Sequence, residues 1–192
     1  MRRAPVFGIV VCPLALMTVF AQTPASGLVT LFDGTHLNNF NMVGTANWKL
    51  ADGMVEATSG AGFLVSKENY GDFEIRVEFW VDEAANSGVY MRCQDANRIT
   101  DTTCYEVNIF DKRPDQSGRT GAIVHVAKPL AIVDAGGKWN TYEITAKGPH
   151  LTVRLNGAVT AQAEDRKFSS GPVALQYMAG IVRFRRVQIR RL

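Results

Sequence analysis

Apolar and polar side chains alternate along many stretches of the chain with a period of two, which is typical of β-strands with one buried face. In residues 73–80, FEIRVEFW, every second side chain from Phe73 to Phe79 is apolar, and the intervening positions include Glu78 and Trp80. The same alternation occurs in residues 88–93, 105–111, 142–148, 150–157 and 181–189. Helical periodicity is hard to find, so the pattern predicts an all-β protein.

Turn-forming residues separate these stretches and define their order. Asn156-Gly157 lies between two alternating runs and predicts a β-hairpin with a type I′ turn. Gly, Pro, Asn and Asp punctuate the other runs in the same way. Many short strands joined by such turns favour an antiparallel sandwich or jelly roll of two sheets, and no internal repeat or second-domain boundary is visible.

Polar side chains share one face on three of the predicted strands. Glu106 and Asn108 lie opposite Val107 and Ile109, and two other polar pairs follow the same rule: Glu78 with Trp80, and Tyr90 with Arg92. If these strands pair in register, with their apolar sides in the core, Glu78, Arg92 and Glu106 become neighbours. A solvated face crossed by weak ion pairs explains the same pattern.

The first residues have the pattern of an export signal. Arg2 and Arg3 precede an apolar stretch that ends at Val19-Phe20-Ala21, a small-residue cleavage pattern. We therefore predict a signal peptide over residues 1–21, a short tail over 22–28 and one domain over 29–192, in the periplasm or secreted. No membrane association is expected after cleavage, although an uncleaved anchor remains the alternative.

Charge and cysteine content narrow the possible partners. The net charge is +3, and the arginines near the C-terminus fit the solvent side of a last strand. No basic stripe with stacking aromatics is present, so nucleic-acid binding is not expected. Cys93 and Cys104 would form a disulfide in an exported protein, with free thiols as the alternative. The chain has no cysteine–histidine cluster of the kind that holds structural zinc.

Ten segments in order carry a resemblance to a known family. They are LFDGTHLNNF (31–40), NWKLADGMV (47–55), YGDFEIRVEF (70–79), ANSGVYMR (85–92), YEVNIFD (105–111), TGAIV (120–124), KWNTYEI (138–144), LNG (155–157), GPVALQY (171–177) and VRFRRVQIRRL (182–192). Together they resemble the 3-keto-disaccharide hydrolase domain, formerly domain of unknown function 1080. The resemblance implies a concanavalin A-like jelly roll with one concave sheet, and cleavage of glycosidic bonds in 3-keto sugars.

The chain departs from the family pattern at four positions. The family usually has Trp at Phe40, Gln at Asn108, Tyr at Val124 and His at Met178. The changes at Asn108 and Met178 fall on the expected ligand face. They keep a second function open, that of a carbohydrate-binding module without catalysis, and a third, that of a structural domain of the cell envelope.

The resemblance and the shared face together suggest a base-assisted elimination. A C3 carbonyl acidifies the C2 proton, so Glu106 is the candidate base, Arg92 the candidate partner of the enolate oxygen and Glu78 the candidate acid. The candidate sugar contacts are Trp80, Tyr90, Asn86, Asn108, Asp111, His125 and Gln176. No cofactor is required, although Glu106 and Asp111 leave a divalent metal open. The expected ligand is a 3-keto-glycoside; the oligomeric state is not indicated.

Overall fold

The computed structural model describes Met1 and residues 27–192. Apart from Met1, the predicted signal peptide lies outside the described residues, and so does most of the predicted tail. Within the described part of the chain, no helix is long and apolar enough to span a membrane.

The described chain consists of thirteen β-strands and one short 3-10 helix, Gln116–Gly118. The strands are β1 Val29–Phe32, β2 Phe40–Gly44, β3 Lys49–Ala51, β4 Met54–Ala57, β5 Gly62–Tyr70, β6 Phe73–Val81, β7 Asn86–Met91, β8 Tyr105–Ile109, β9 Trp139–Lys147, β10 His150–Leu155, β11 Ala158–Glu164, β12 Gly171–Ala179 and β13 Val182–Arg191. The alternating stretches of the sequence thus form strands, as predicted.

Two antiparallel sheets pack face to face. Sheet A has the order β11-β10-β9-β6-β13-β4-β3, with β1 also paired to β13, and sheet B has the order β2-β5-β12-β7-β8. Their facing sides form one apolar core, in which Val77 and Phe79 of sheet A join Val89, Val107 and Leu175 of sheet B. This architecture confirms the prediction of an all-β jelly-roll sandwich.

The hairpin between β10 and β11 also agrees with the sequence. Asn156 and Gly157 have φ angles of 52° and 85°, and two central residues with positive φ are what a type I′ turn requires. Asn156 additionally accepts a hydrogen bond from the Thr141 amide at 2.9 Å, which ties the turn to β9.

The chain passes between the two sheets at the end of β6. β6 pairs with β9 and β13 in sheet A, whereas β7 pairs with β8 and β12 in sheet B. Residues 82–85 make the crossing. The polar faces of β6 and β7 therefore lie on opposite sides of the molecule, although the two strands are consecutive and alternate in the same way.

Candidate functional site

The outer face of sheet B brings together four polar side chains around a glycine. Tyr90 of β7 is the register partner of Glu106 of β8, and Gly88 is the partner of Asn108 on one side and of Gln176 on the other. We call these five residues the site face. Tyr90, Asn108 and Gln176, which the sequence proposed as sugar contacts, therefore lie beside the proposed base, Glu106.

Glu106 carries a carboxyl group that is buried among apolar and polar neighbours. Its side chain is 5% exposed, and this burial raises its pKa from 4.5 to about 7, with a contribution in the same direction from Asp101. Tyr90, Arg113 and His125 act against the rise. A carboxyl group with a pKa near neutrality is suited to accept a proton at physiological pH.

Tyr90 serves the site through its hydroxyl group rather than through its ring. The ring is 4% exposed and packs edge-on against Phe63, with a centroid distance of 5.3 Å. The hydroxyl accepts a hydrogen bond of 2.9 Å from Gln176 Nε2. Burial, followed by the charge of Glu106, raises the pKa of Tyr90, so Tyr90 remains a neutral phenol that can donate a hydrogen bond.

Two amide oxygens on the site face have no partner among the described residues. Asn108 donates Nδ2 to the Gly118 carbonyl and Gln176 donates Nε2 to Tyr90, while Asn108 Oδ1 and Gln176 Oε1 are buried without a hydrogen bond. Such acceptors are costly when unsatisfied. An amide oxygen can only accept, so each of these two atoms needs a donor such as a hydroxyl group.

Gly88 forms the floor between these side chains. A Cβ atom at this position would lie 3.2 Å from Glu106 Oε1 and 3.3 Å from Tyr90 Cε2. The absence of a side chain therefore leaves room for the carboxyl group of Glu106 to lie over the strand.

A loop stapled by a disulfide covers one end of the site face. Cys93 and Cys104 are bonded, which confirms the predicted pairing. Ile99 from the same loop packs in a small apolar cluster with Val65, Tyr90 and Ala174. The loop thus shields the ring of Tyr90 from water.

His125 and Asp101 lie at the rim near Glu106. The His125 Nε2 and Asp101 Oδ2 atoms are 2.9 Å apart, and His125 has a φ of 63°, a backbone conformation that costs energy in a non-glycine residue. The sequence proposed His125 but missed Asp101, because the two are 24 residues apart and only the fold pairs them.

Two other positions mark the opposite end of the face. By strand alternation, Asn86 lies on the same side of β7 as Gly88 and Tyr90. Met178 lies in the irregular stretch of β12 between Tyr177 and Ala179 and is 44% exposed. The position at which the family usually has His is therefore accessible from solvent.

Arg113 was not singled out in the sequence, and the structure places it against the turn that holds Asn108. Its side chain packs on Gly118, where a Cβ atom would lie 2.6 Å from Arg113 Nε. The Gly118 carbonyl in turn accepts the hydrogen bond from Asn108. The guanidinium group is thus close to Asn108, and its charge opposes the rise in the pKa of Glu106.

The predicted grouping of Glu78 and Trp80 with Glu106 is wrong, because β6 belongs to the other sheet. Glu78 accepts a hydrogen bond of 2.7 Å from Arg185 Nε on the outer face of sheet A. Trp80 lies on the same face, under the guanidinium group of Arg183 at 4.5 Å. Neither residue reaches the site face.

Arg92 is also misassigned, because its side chain points away from Glu106. It follows β7 with a φ of 52° and is 1% exposed. It donates to three carbonyl groups and one carboxylate: Gly71 O at 2.9 Å, Gly148 O at 2.8 Å, Phe168 O at 3.2 Å and Asp72 Oδ1 at 3.1 Å. Its role in this structure is to join three connecting segments.

The side chain of Asp111 binds neighbouring loops and does not belong to the site face. Its carboxylate accepts hydrogen bonds from Thr120 Oγ1 at 2.5 Å and from the amides of Ala135 and Gly136 at 2.8 Å. The Glu106–Asp111 metal pair left open by the sequence is therefore not formed. In the described part of the chain, no three His, Cys, Asp or Glu side chains are grouped to hold a metal ion.

Several solved structures with the same fold are described as glycosyl hydrolases or carbohydrate-binding proteins. Two are crystal structures from Parabacteroides distasonis whose assignment as glycosyl hydrolases is provisional. One is 18% identical with a TM-score of 0.79, covering 91% of this chain and 98% of that one. The other is 25% identical with a TM-score of 0.74, covering 86% and 99%. A carbohydrate-binding module from Bacillus subtilis is 17% identical with a TM-score of 0.64, covering 79% and 95%.

Comparison with curated proteins gave no match. A family of protein domains, described as 3-keto-alpha-glucoside-1,2-lyase-like, matches residues 27–190. The match spans well over half of the chain and both sheets of the sandwich, in agreement with the carbohydrate-related fold. The chain therefore belongs to the family of 3-keto-alpha-glucoside-1,2-lyase-like domains.

Proposed function

We propose that the protein cleaves glycosidic bonds of 3-keto sugars on the site face, with Glu106 as the base. One observation carries this proposal: a buried carboxyl group with a pKa of about 7 lies beside two buried amide oxygens that lack partners. The amide oxygens would bind sugar hydroxyl groups and so position the ring, and the carboxyl group would accept the proton.

The chemistry needs one proton acceptor and one proton donor. Glu106 takes the proton from C2, and the bonding electron pair forms a C2–C3 double bond while the C3 carbonyl oxygen becomes an enolate oxygen. When the carbonyl re-forms, a C1–C2 double bond forms and the C1–oxygen bond breaks. The departing oxygen takes a proton. Release at this stage is a lyase reaction, and later addition of water to C1 gives net hydrolysis.

His125 replaces Glu78 as the proposed proton donor. The Asp101 carboxylate at 2.9 Å is a suitable partner for a protonated imidazole. The side chain of His125 is 60% exposed at the rim, where a leaving group larger than the site face would extend. The donor and the base would thus act at adjacent carbons of the sugar, the donor on the oxygen leaving C1 and the base on the proton of C2.

The second candidate function is carbohydrate binding without catalysis. It is supported by the similarity to the Bacillus subtilis module and by Met178, which provides no titratable group where the family usually has His. The unpartnered oxygens of Asn108 and Gln176 would serve a binding site equally well.

Turnover of matched substrates separates the two functions. The protein is incubated with 3-keto-glucosides and with the corresponding unoxidised glucosides, and products are followed by NMR. We expect turnover of the 3-keto compounds alone, loss of turnover in Glu106→Gln, and an increase of kcat/KM as pH rises through about 7. Saturable sugar binding without turnover would instead establish the binding module.

We also propose that the protein is exported to the periplasm or secreted. The pattern of residues 1–21 supports export, and the disulfide of Cys93 and Cys104 is of the kind that persists in oxidising compartments. Cell fractionation with N-terminal sequencing is expected to find a chain shortened at Ala21 outside the cytoplasm. An unprocessed chain retained in the cell would contradict export.

A further inference from the structure

The reaction proposed above builds negative charge on the C3 oxygen of the sugar, and a cation near that oxygen would stabilise it. Arg92 does not provide this cation, because its donors bind the carbonyls of Gly71, Gly148 and Phe168. Arg113 is the alternative, because it packs on Gly118, whose carbonyl oxygen holds the side chain of Asn108.

Arg113 is fixed in place by a glycine. Its Nε and Cζ atoms would lie 2.6 and 2.8 Å from a Cβ atom at Gly118, so the guanidinium group packs directly on the Gly118 backbone. The same peptide segment holds the side chain of Asn108 through its carbonyl oxygen. One turn therefore sets the position of the cation relative to a residue of the site face.

The charge of Arg113 is not neutralised by an ion pair within the described residues. Several other arginines have carboxylate partners within 4 Å, such as Arg119 with Asp134 at 2.9 Å. Asp115 is near Arg113 in sequence, but its carboxylate accepts hydrogen bonds from the amide and hydroxyl groups of Ser117. The guanidinium donors of Arg113 have no acceptor among the described side chains, and they remain available to a ligand.

We propose that Arg113 binds the C3 oxygen of the 3-keto sugar and stabilises the enolate that forms when Glu106 removes the C2 proton. This inference rests on the proposed function. The proposal requires a ring near Gly88, with its hydroxyl groups on Asn108 and Gln176 and its C3 oxygen, which has no hydrogen to donate, turned to the guanidinium. Amide oxygens accept only, so a keto oxygen cannot pair with them.

The test measures C2–H exchange with deuterated water and cleavage of a 3-keto-glucoside by the wild type, Arg113→Gln, Arg113→Lys and the control Arg154→Gln. Arg154 is an exposed arginine on β10 in the other sheet. We expect Arg113→Gln to lower both rates about a hundredfold to a thousandfold, with KM changing less than kcat. Arg113→Lys should recover part of the loss, and Arg154→Gln should match the wild type.

A pH profile distinguishes a direct role from a structural one. Four groups act on Glu106: Tyr90 on β7, Asp101 and His125 at the rim, and Arg113. Because the cation favours the ionised carboxyl, its removal in Arg113→Gln should move the rising limb of kcat/KM to higher pH. Circular dichroism shows whether Arg113→Gln is folded. If it is not, the pH profile of Arg113→Lys is compared with that of the wild type instead.

Two failures have different meanings. If the wild type and all variants leave 3-keto-glucosides unchanged, the proposed function and this inference both fall. If the wild type is active, Glu106→Gln is inactive and Arg113→Gln exchanges C2–H within about twofold of the wild type, the base stands and the role of Arg113 is overturned.

Discussion

Glu106 carries its carboxyl group where ionisation is costly. Its pKa of about 7 lies above the unfolded value of 4.5, so the folded state binds more protons than the unfolded state between these values. The folded protein therefore loses stability as pH rises from about 4.5 through about 7. One pKa unit corresponds to about 1.4 kcal/mol. The difference between the folded and unfolded pKa of Glu106 therefore lowers the free energy of unfolding by roughly 3 kcal/mol at alkaline pH.

Replacement of Glu106 by glutamine should remove this cost. At pH 8.5 we expect the free energy of unfolding of Glu106→Gln to exceed that of the wild type by roughly 2–3 kcal/mol. At pH 4.5 the two proteins should differ little. Urea titrations at both pH values measure the effect. An equal stability difference between variant and wild type at the two pH values would contradict the raised pKa of Glu106. The control is Glu143→Gln, which changes an exposed residue of sheet A.

Gly88 is a second residue at which a small change should have a defined effect. In Gly88→Ala the new methyl group would press on Glu106 Oε1 and Tyr90 Cε2 at 3.2 and 3.3 Å. We expect a loss of about 1–3 kcal/mol in stability and a roughly tenfold weaker affinity for the sugar. Gly71→Ala is the matched control, because its nearest atom lies at an ordinary 3.6 Å. Equal binding by both variants would remove Gly88 from the site.

At the scale of elements, the disulfide loop packs on one residue of the site face, Tyr90, through Ile99. The bond closes a loop with a sequence separation of 11, for which chain entropy predicts a contribution of roughly 3 kcal/mol. The double variant Cys93→Ser/Cys104→Ser should unfold earlier in urea by about this amount. Its amide exchange should increase most in residues 94–103.

Urea unfolding with and without a reducing agent provides the control for the disulfide prediction. Reduction should destabilise the wild type and have no effect on the double variant. If the wild type unfolds identically with and without reductant, the bond does not contribute to the folded state as the loop closure implies.

The alternation of each strand predicted which side chains share a face, but not which sheet the strand joins. Tyr90, Glu106 and Gln176 lie on one face of sheet B, and strand parity alone places Tyr90 and Glu106 correctly within their strands. Glu78 obeys the same parity and lies in sheet A. Both sheets of a sandwich have one apolar and one polar side, so the pattern contains no information on the crossing at residues 82–85.

Side chains that bind backbone groups were the least predictable. Arg92 and Asp111 are charged residues near strand ends, and the sequence gives no sign that distant turns bring carbonyl or amide groups to them. Their partners lie 9–76 residues away along the chain. The position of Arg113 was unpredictable for the same reason, because it depends on the turn at Gly118.

At the scale of the whole molecule, Arg92 joins the ends of both sheets. Its partners lie in the β5–β6 turn, the β9–β10 turn and the segment before β12. Arg92→Met would leave three carbonyl groups without this donor, so we expect a loss of about 3–5 kcal/mol, measured by urea unfolding. The exposed Arg166→Met is the control.

This prediction also separates a structural Arg92 from a catalytic one. In Arg92→Met, turnover should fall only as far as the folded fraction falls, and ligands that stabilise the folded state should recover it. A fully folded variant without turnover would return Arg92 to the site.

Tyr142 connects the site to the opposite sheet through the core. It belongs to β9 of sheet A, donates its hydroxyl to the Asn108 carbonyl at 2.6 Å and accepts the Gly121 amide at 2.8 Å. The backbone that carries Asn108 is thus fixed from below by one sheet and from the side by residues 121–124. The site face rests on a rigid support, as precise positioning of a substrate requires.

Met178 gives this face a sensitivity that a histidine would not have. The thioether is 44% exposed on the strand that carries Gln176. Oxidants such as peroxide convert an exposed methionine to its sulfoxide, which turns an apolar side chain into a polar hydrogen-bond acceptor. Oxidation of Met178 would therefore add a polar acceptor two residues from Gln176, and a reductase specific for methionine sulfoxide would reverse the change.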